Sequence, residues 1–467
     1  MMRPLMTRSL RLKFNSRIVV MMYIKTHNTV IKKVQLLSLI GWLLFGIHNT
    51  FAQQITLEES QKAALKHSNA IKNGLLTIEK SEAFKREMAA NYFPNVEASA
   101  LGLYAPNDLI GPIEGFLPNG IDNLYSASAT ATEVIYAGGS IRNSNALADI
   151  QLETSQIRAE QAVDSVLLVT ENKFWQLVQL QEQQKVIETN ETYLDELLKQ
   201  QQDLLEAGLI AKNQLLQVKV NRSELLLNKS RVEHMRKLAL LDFALYVGVA
   251  YTPDMVANAD FENITPPELK YESPDLDLSG NSNYRLLEKS ITASSLQTKM
   301  AKADLLPSFA VGVSAQEFGA IDSAIDSQFT GFAFGSLSIP ISNWWGSGKQ
   351  RVKQEKIQEE ITKNNREDGI DQLKVAITQS WYDLVNAHEQ ITYALENKQL
   401  AEENLKVNRD NYDNGLSGLT DLLDAQAMAQ NAQSNLINAY TNFENKEITY
   451  LYRTDQLTAP SLDSLKE

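Results

Sequence analysis

No proline interrupts the chain between Pro118 and Pro253 or between Pro340 and Pro460, and within 143–247 the only glycine is Gly208. A chain so poor in breakers is free to form helices far longer than the ordinary dozen residues. The first stretch carries a heptad through Val163, Leu167, Thr170, Phe174 and Leu177 and, after a one-residue slip in phase, through Leu194, Leu197, Gln201 and Leu204. The second runs through Leu373, Ile377, Trp381, Leu384, Ile391, Leu395, Lys398 and Leu405. Steps that mostly alternate three and four place these on one seam of a supercoiling helix. A helix from Asn143 to Glu206 is roughly 95 Å long at 1.5 Å per residue, so it has to run along a partner rather than across a small core. The Gln, Thr and Lys on the seam suit a wet or multi-helix interface.

Each stretch then turns. Ala207-Gly208 and Asn414-Gly415 read as C-caps, and apolar spacing resumes at Leu215, Leu216, Val218 and Val220 in one and at Leu422, Leu423, Met428 and Leu436 in the other. Each is a long helical hairpin. The hairpins resemble one another: Phe174-Trp175-Gln176-Leu177 matches Trp381-Tyr382-Asp383-Leu384, and Gly208 matches Gly415, both at an offset of 207. Tyr92-Phe93-Pro94 matches Leu305-Leu306-Pro307, and helical stretches before each proline, Thr56–Asn91 and Asn283–Asp304, complete a duplication.

Between proline and hairpin lie four strand-like segments: Asn95–Tyr104, Leu124–Tyr136, Ser308–Phe318 and Gln328–Ile339. Phe309, Val311, Val313 and Ala315 alternate with Ala310, Gly312, Ser314 and Gln316, and Ala127, Ala129 and Ala131 alternate with Ser126, Ser128, Thr130 and Thr132. One apolar face, one small polar face and lengths near 10 residues fit transmembrane β-strands around a wet lumen. Four strands cannot close a barrel and an open edge cannot sit in lipid, so several copies have to pool their strands. The loops Ala105–Asn123 and Gly319–Ser327 would face outward.

Residues 1–52 hold eight bases and no acid, and Val34–Ile47 is apolar and precedes Thr50-Phe51-Ala52. This reads as a secretory signal cut after Ala52, leaving Gln53 first. The remaining chain carries 36 bases against 57 acids, a net charge of −21, which excludes nucleic acid as a partner. With no cysteine there is no disulfide, thiolate site or acylated anchor. The chain divides into the signal (1–52), a first repeat (53–251), an acidic, proline-rich linker around the waist (252–282), a second repeat (283–455) and a tail (456–467).

Signal, duplicated helix–strand pair–hairpin, Phe93-Pro94 and Leu306-Pro307, and the tips Glu206–Ile210 and Asn414–Asp424 together resemble the TolC outer-membrane efflux family, over nearly all of Gln54–Asp455. The resemblance implies a mainly α fold with a transmembrane β-barrel. Long antiparallel hairpins would form a periplasmic α-barrel, and four strands per chain would contribute to a homotrimeric, 12-stranded barrel in the outer membrane of a Gram-negative bacterium. It further implies an efflux or type I secretion channel whose tips, at Ala207, Gly208, Leu209, Ile210, Gly415, Leu416 and Gly418, meet a periplasmic adaptor (a membrane fusion protein) linked to an inner-membrane pump. The gate would lie at those tips. Tyr412 matches the family's gate tyrosine, whereas Ser417 stands where an arginine often sits and Gln214 where an acid is frequent. These departures run against the family's tyrosine–arginine–aspartate lock, and neutral hydrogen bonds are expected to hold the closed state instead. Asp421 and Asp424 share a helix face at i, i+3 and would make a ring of six carboxylates in three copies. They equally serve the first turn of a helix capped by Thr420.

No catalytic constellation stands out, and no cofactor or metal is implied. His67, His234 and His388 are isolated. Trp344–Lys349 glances at a phosphate loop, but Asn343 replaces the first glycine and Gln350 the Ser/Thr. A turn where barrel meets helix, with tryptophans at the membrane interface, is the plainer reading. A periplasmic coiled-coil scaffold or adaptor without a pore stays open as an alternative, as does the cargo, small toxic compounds or secreted polypeptide.

Overall fold

A computed structural model describes residues 54–115, 117, 120–259, 261, 264–274, 276–321 and 326–465; the signal read over 1–52 lies outside them. A short strand β1 (Gln54–Ile55) leads to α1 (Leu57–His67) and α2 (Asn69–Ala90). Thr56 opens α1 with a reciprocal cap, its hydroxyl accepting from Glu59 N at 3.3 Å and its own N–H reaching Glu59 Oε2 at 3.0 Å. The single helical stretch expected over Thr56–Asn91 is broken at Ser68, whose extended backbone ends α1 and whose Oγ accepts from Ile71 N to start α2. Gly248 passes close by at this point, where a Cβ would sit 2.2 Å from His67 Cγ.

Strands β2 (Asn95–Tyr104) and β3 (Asn123–Ala137) precede α3 (Ser140–Glu206), a helix of 67 residues, and α4 (Lys212–Val247). Described residues of the segment 252–282 are held against the hairpins. Its strand β4 (Val256–Ala257) pairs in parallel with β1, and Gln181 brackets Ala257, accepting from its N–H at 2.8 Å and donating to its carbonyl at 3.0 Å. Phe261 stacks between Trp175 and Tyr440 with centroids 5.9 and 4.9 Å away. A one-turn helix, α5 (Pro267–Lys270), follows, and α6 (Ser282–Ala303) is capped by Asn281. The second repeat continues with β5 (Ser308–Gly319), β6 (Gln328–Ser338), a 3₁₀ turn at Ile341–Trp344, α7 (Ser347–Asp413, again 67 residues) and α8 (Leu419–Arg453).

The first seam is buried from Val163 through Leu177 and again at Leu194, Leu197 and Gln201. The second is buried from Ile377 to Ile391, but Leu395 is exposed and the covered positions move to Ala394 and Ala401. A helix of 3.6 residues per turn drifts against a strict heptad, and here the drift is not corrected. Helix α2 packs on α3, α3 on α6, α6 on α7, and α8 on both α3 and α7. Near the waist Glu171 of α3 is buried with Gln61 donating to it at 3.1 Å, and Lys270 and Tyr271 hold Glu447 of α8 at 2.9 and 3.0 Å.

The four long strands form one antiparallel sheet in the order β2-β3-β5-β6, so the repeats meet at β3–β5. Register sorts the side chains into two faces. Val96, Ala131, Val313 and Ala333 align in one row, and Ala98, Ala129, Ala315 and Gly331 in the next, on the apolar face. On the other face lie rows such as Ser99, Ser128, Gln316 and Thr330, with Ser99–Ser128 and Thr130–Ser314 hydroxyls bonded at 2.8 and 2.9 Å. A bulge between Val134 and Tyr136 puts Ile135 and Tyr136 together on the apolar face opposite Phe309. Among the described residues the outer edges of β2 and β6 have no strand beside them.

Candidate functional site

The two hairpin tips are built alike. Gly208 and Gly415 take φ of 72° and 73°, a conformation glycine adopts without the cost a Cβ brings. Gly208 N donates to Leu205 O and Gly415 N to Tyr412 O, both at 3.0 Å, and Leu209 N and Leu416 N close onto Leu204 O and Asn411 O at 2.9 and 2.7 Å. Every pair is separated by 207 residues, so the duplication extends to the hydrogen bonds. The exposed Leu209 and Leu416 project from the two tips, with Ala207, Gly208, Gly415 and Gly418 also open to solvent and Ile210 half-buried.

The cap of α8 is Gly418 rather than Thr420. Its backbone is extended, and Asp421 Oδ2 accepts from its N–H at 3.1 Å. The helix thus begins two residues earlier than the hydroxyl suggested, because the carboxylate three residues after Gly418 supplies the cap. Asp421 and Asp424 both face solvent, while Leu419, Leu422 and Leu423 turn inward into the same hydrophobic core as Leu194 and Leu197.

Just above the tips, polar contacts join the hairpins. Gln201, fully buried on α3, donates from Nε2 to Tyr412 Oη on α7 at 2.7 Å, and its Oε1 has no partner. One turn and more away, the Arg409 guanidinium lies 4.6 Å from the centroid of the Tyr193 ring. Burial pushes the Tyr193 hydroxyl up, against the pull of Arg409. Higher still, Gln426 of α8 donates to Asn190 of α3, and Gln179 and Gln183 share Asn438 Oδ1 at 2.7 and 3.0 Å. The junction of the hairpins is therefore a Leu cluster bracketed by neutral amides.

Of the residues proposed from sequence, Tyr412 is joined to hairpin one through Gln201, and Gln214 makes no hydrogen bond through its side chain among the described residues. Ser417 Oγ makes a long contact, 3.5 Å, to Asn408 O. Sequence reasoning missed Gln201, Tyr193, Arg409, Asn190 and Gln426 as members of the site. Gln201 gave a signal, since it is a glutamine at a position where its seam neighbours are leucines. Among the described residues no group of three or more His, Asp or Glu is arranged to hold a metal.

Residues 275–450 match the outer membrane efflux protein family. No curated protein matches the chain. Solved structures match over most of its length: the outer membrane channel CmeC of Campylobacter jejuni (TM-score 0.76, 16% identity, 88% of each chain) and the outer membrane protein VceC of Vibrio cholerae (0.73, 14%, 85% of this chain and 95% of that). The open state of the MtrE outer membrane channel of Neisseria gonorrhoeae matches too (0.67, 16%, 85% and 88%). At such identities the likeness establishes the fold, and that fold is the mainly helical, barrel-tipped one of outer-membrane efflux channels. The resemblance to the TolC family drawn from the repeats is thereby borne out.

Proposed function

We propose that the chain is one protomer of a homotrimeric outer-membrane channel that passes cargo from a periplasmic adaptor and an inner-membrane pump to the exterior. The observation that carries this is the two-faced sheet: an alanine- and valine-rich face backs a hydroxyl-rich one, its edges β2 and β6 are open, and its strands β3 and β6 lead into helices of 67 residues. Three such sheets closed edge to edge leave no unpaired backbone in lipid. The four strands then give 12, and the hairpins continue the lumen as a tunnel through the periplasm. The exposed Leu209 and Leu416 at equivalent tips are apolar anchors for the adaptor. The Gln201–Tyr412 bond and the amides above it hold the hairpins in the closed arrangement, and Asp421 and Asp424 offer cations a ring of carboxylates at the mouth.

The chain does no chemistry on its cargo in this account. Cell fractionation tests it: the protein is expected in membranes, released only by detergent, cross-linkable to three chains and slower-migrating after heating. Release by osmotic shock would point instead to a periplasmic scaffold.

A further inference from the structure

Where the sheet meets α7, the apolar face ends in an aromatic and aliphatic rim. Phe93 is 71% exposed, Leu337 63% and Trp345 68%, and the bulge adds Ile135 and Tyr136. Trp344 is pinned by its Nε1, which donates to Leu305 O at 2.7 Å. Directly beyond this rim the chain reads Lys349-Gln-Arg-Val-Lys353-Gln-Glu-Lys356. This is a cationic patch in a body that is otherwise strongly acidic.

Helix geometry separates the sides of α7. Arg351 faces α6, where it pairs with Asp304 at 3.3 Å. Ser347 and Gln354 line a cavity of about 870 Å³ together with Ser308 and Ser338, which belong to the hydroxyl-rich face of the sheet. At 100° per residue, Lys349 and Lys356 stand within about 20° of one another and about 140–180° away from Ser347 and Gln354, with Lys353 on the flank between. They therefore lie on the side of α7 turned away from the cavity that Ser308 and Ser338 of the hydroxyl-rich face line. All three lysines are exposed, and among the described residues none makes an ion pair or hydrogen bond through its side chain. Helix stability does not account for Lys349, since a cation in the first turn opposes the macrodipole. Ser140 and Ser347 begin the two long helices 207 residues apart, so Arg142 of α3, also exposed, occupies the position of Lys349.

We propose that Lys349, Lys353 and Lys356, below the Trp344–Trp345 rim, form a docking surface for anionic phospholipid headgroups of the membrane leaflet facing the periplasm. Tryptophans at headgroup level and lysines just outside it are the combination that anchors a protein at a negatively charged surface. Charge complementarity picks the occupant, because the phosphodiester of an anionic phospholipid is the anion that a bilayer covering the exposed Phe93 and Leu337 would bring to these lysines. With no cysteine to carry an acyl anchor, this collar would set the depth of the barrel. The inference rests on the membrane-channel reading.

The test reconstitutes the full chain in bilayers containing about 20 mol% brominated phosphatidylglycerol or brominated phosphatidylcholine and measures tryptophan quenching, a fluorescence loss that follows lipid contact. Trp175 and Trp381 are buried, and the signal lost in Trp344→Phe/Trp345→Phe identifies the share of the rim. Phosphatidylglycerol is expected to be preferred about fivefold or more, with the preference abolished by Lys349→Gln/Lys353→Gln/Lys356→Gln and kept by the triple Arg variant. Equal quenching by the two lipids, or a preference that survives the triple Gln variant, overturns the proposal while leaving the barrel intact. Absence of quenching by either lipid overturns the membrane reading itself.

Discussion

Gln201 Nε2 lies 2.7 Å from Tyr412 Oη, so a fully buried glutamine of the first hairpin donates to a half-buried tyrosine of the second. The two partners are unequal. Tyr412→Phe strands a fully buried amide whose Oε1 is already unpaired, at a cost of about 1–3 kcal/mol, whereas Gln201→Leu unpairs the hydroxyl of a tyrosine that is only half-buried and is expected to cost about 1 kcal/mol or less. The double variant is therefore expected to be more stable than Tyr412→Phe alone. Unfolding midpoints of the four proteins check this; equal losses from both single changes would contradict it.

The waist predicts a dependence on pH. The Glu171 carboxyl is pushed up to about 7, first by burial and then by Glu444 and Glu447, and burial together with Glu447 pushes Glu444 up to about 7. Both groups bind protons more tightly folded than unfolded. Their contribution is fully present below the ordinary value of 4.5 and is lost as pH rises through about 7. As the two interact, they titrate as a pair. Glu171→Gln/Glu444→Gln should raise the unfolding midpoint at about pH 8 and flatten its fall between about pH 5 and 8. A wild-type fall that the variant reproduces in full would remove this explanation.

Two glycines with positive φ should differ sharply. At Gly138 (φ 61°) a Cβ would stand 2.7 Å from Ala303 O, a backbone atom that cannot move aside, whereas at Gly208 (φ 72°) nothing lies within 4 Å. Gly208→Ala is expected to cost only the left-handed strain, about 1–2 kcal/mol, and Gly138→Ala clearly more. Comparing their thermal unfolding in one detergent decides it, and similar shifts would refute the crowding argument.

The acids of the second tip should separate by role. Asp421 caps Gly418 N while Asp424 makes no bond through its side chain among the described residues, so Asp421→Ala should lower stability by about 0.5–2 kcal/mol and Asp424→Ala hardly at all. Replacing both with Asn should weaken multivalent-cation block of the pore. Unchanged block would leave Asp421 as a helix cap and nothing more.

The parts of this architecture that depend on local periodicity could be read directly. The heptad seams, the tip glycines and the alternation of Ala127–Thr132 each encode a helix, a turn or a strand within a few residues, and β2 begins and ends where its pattern does. What could not be read depends on distant packing. Ser68 ends one helix and caps the next inside a good helical sequence, at the point where Gly248 passes His67. The Asp421 carboxylate displaces Thr420 as the cap, and the partner of Tyr412 is a seam glutamine 211 residues away. With serine at 417 and glutamine at 214 the sequence offers Tyr412 no ionic partner there, but that Gln201 donates to it was not legible.

The gate account is tested most directly by recording the full chain, wild type and Gln201→Leu/Tyr412→Phe, in planar lipid bilayers. The account predicts rare or small currents from the wild type and discrete, long-lived, cation-selective steps from the variant. Silence from both forms, in preparations whose heat-modifiable migration shows a folded barrel, would contradict a duct held shut by this bond.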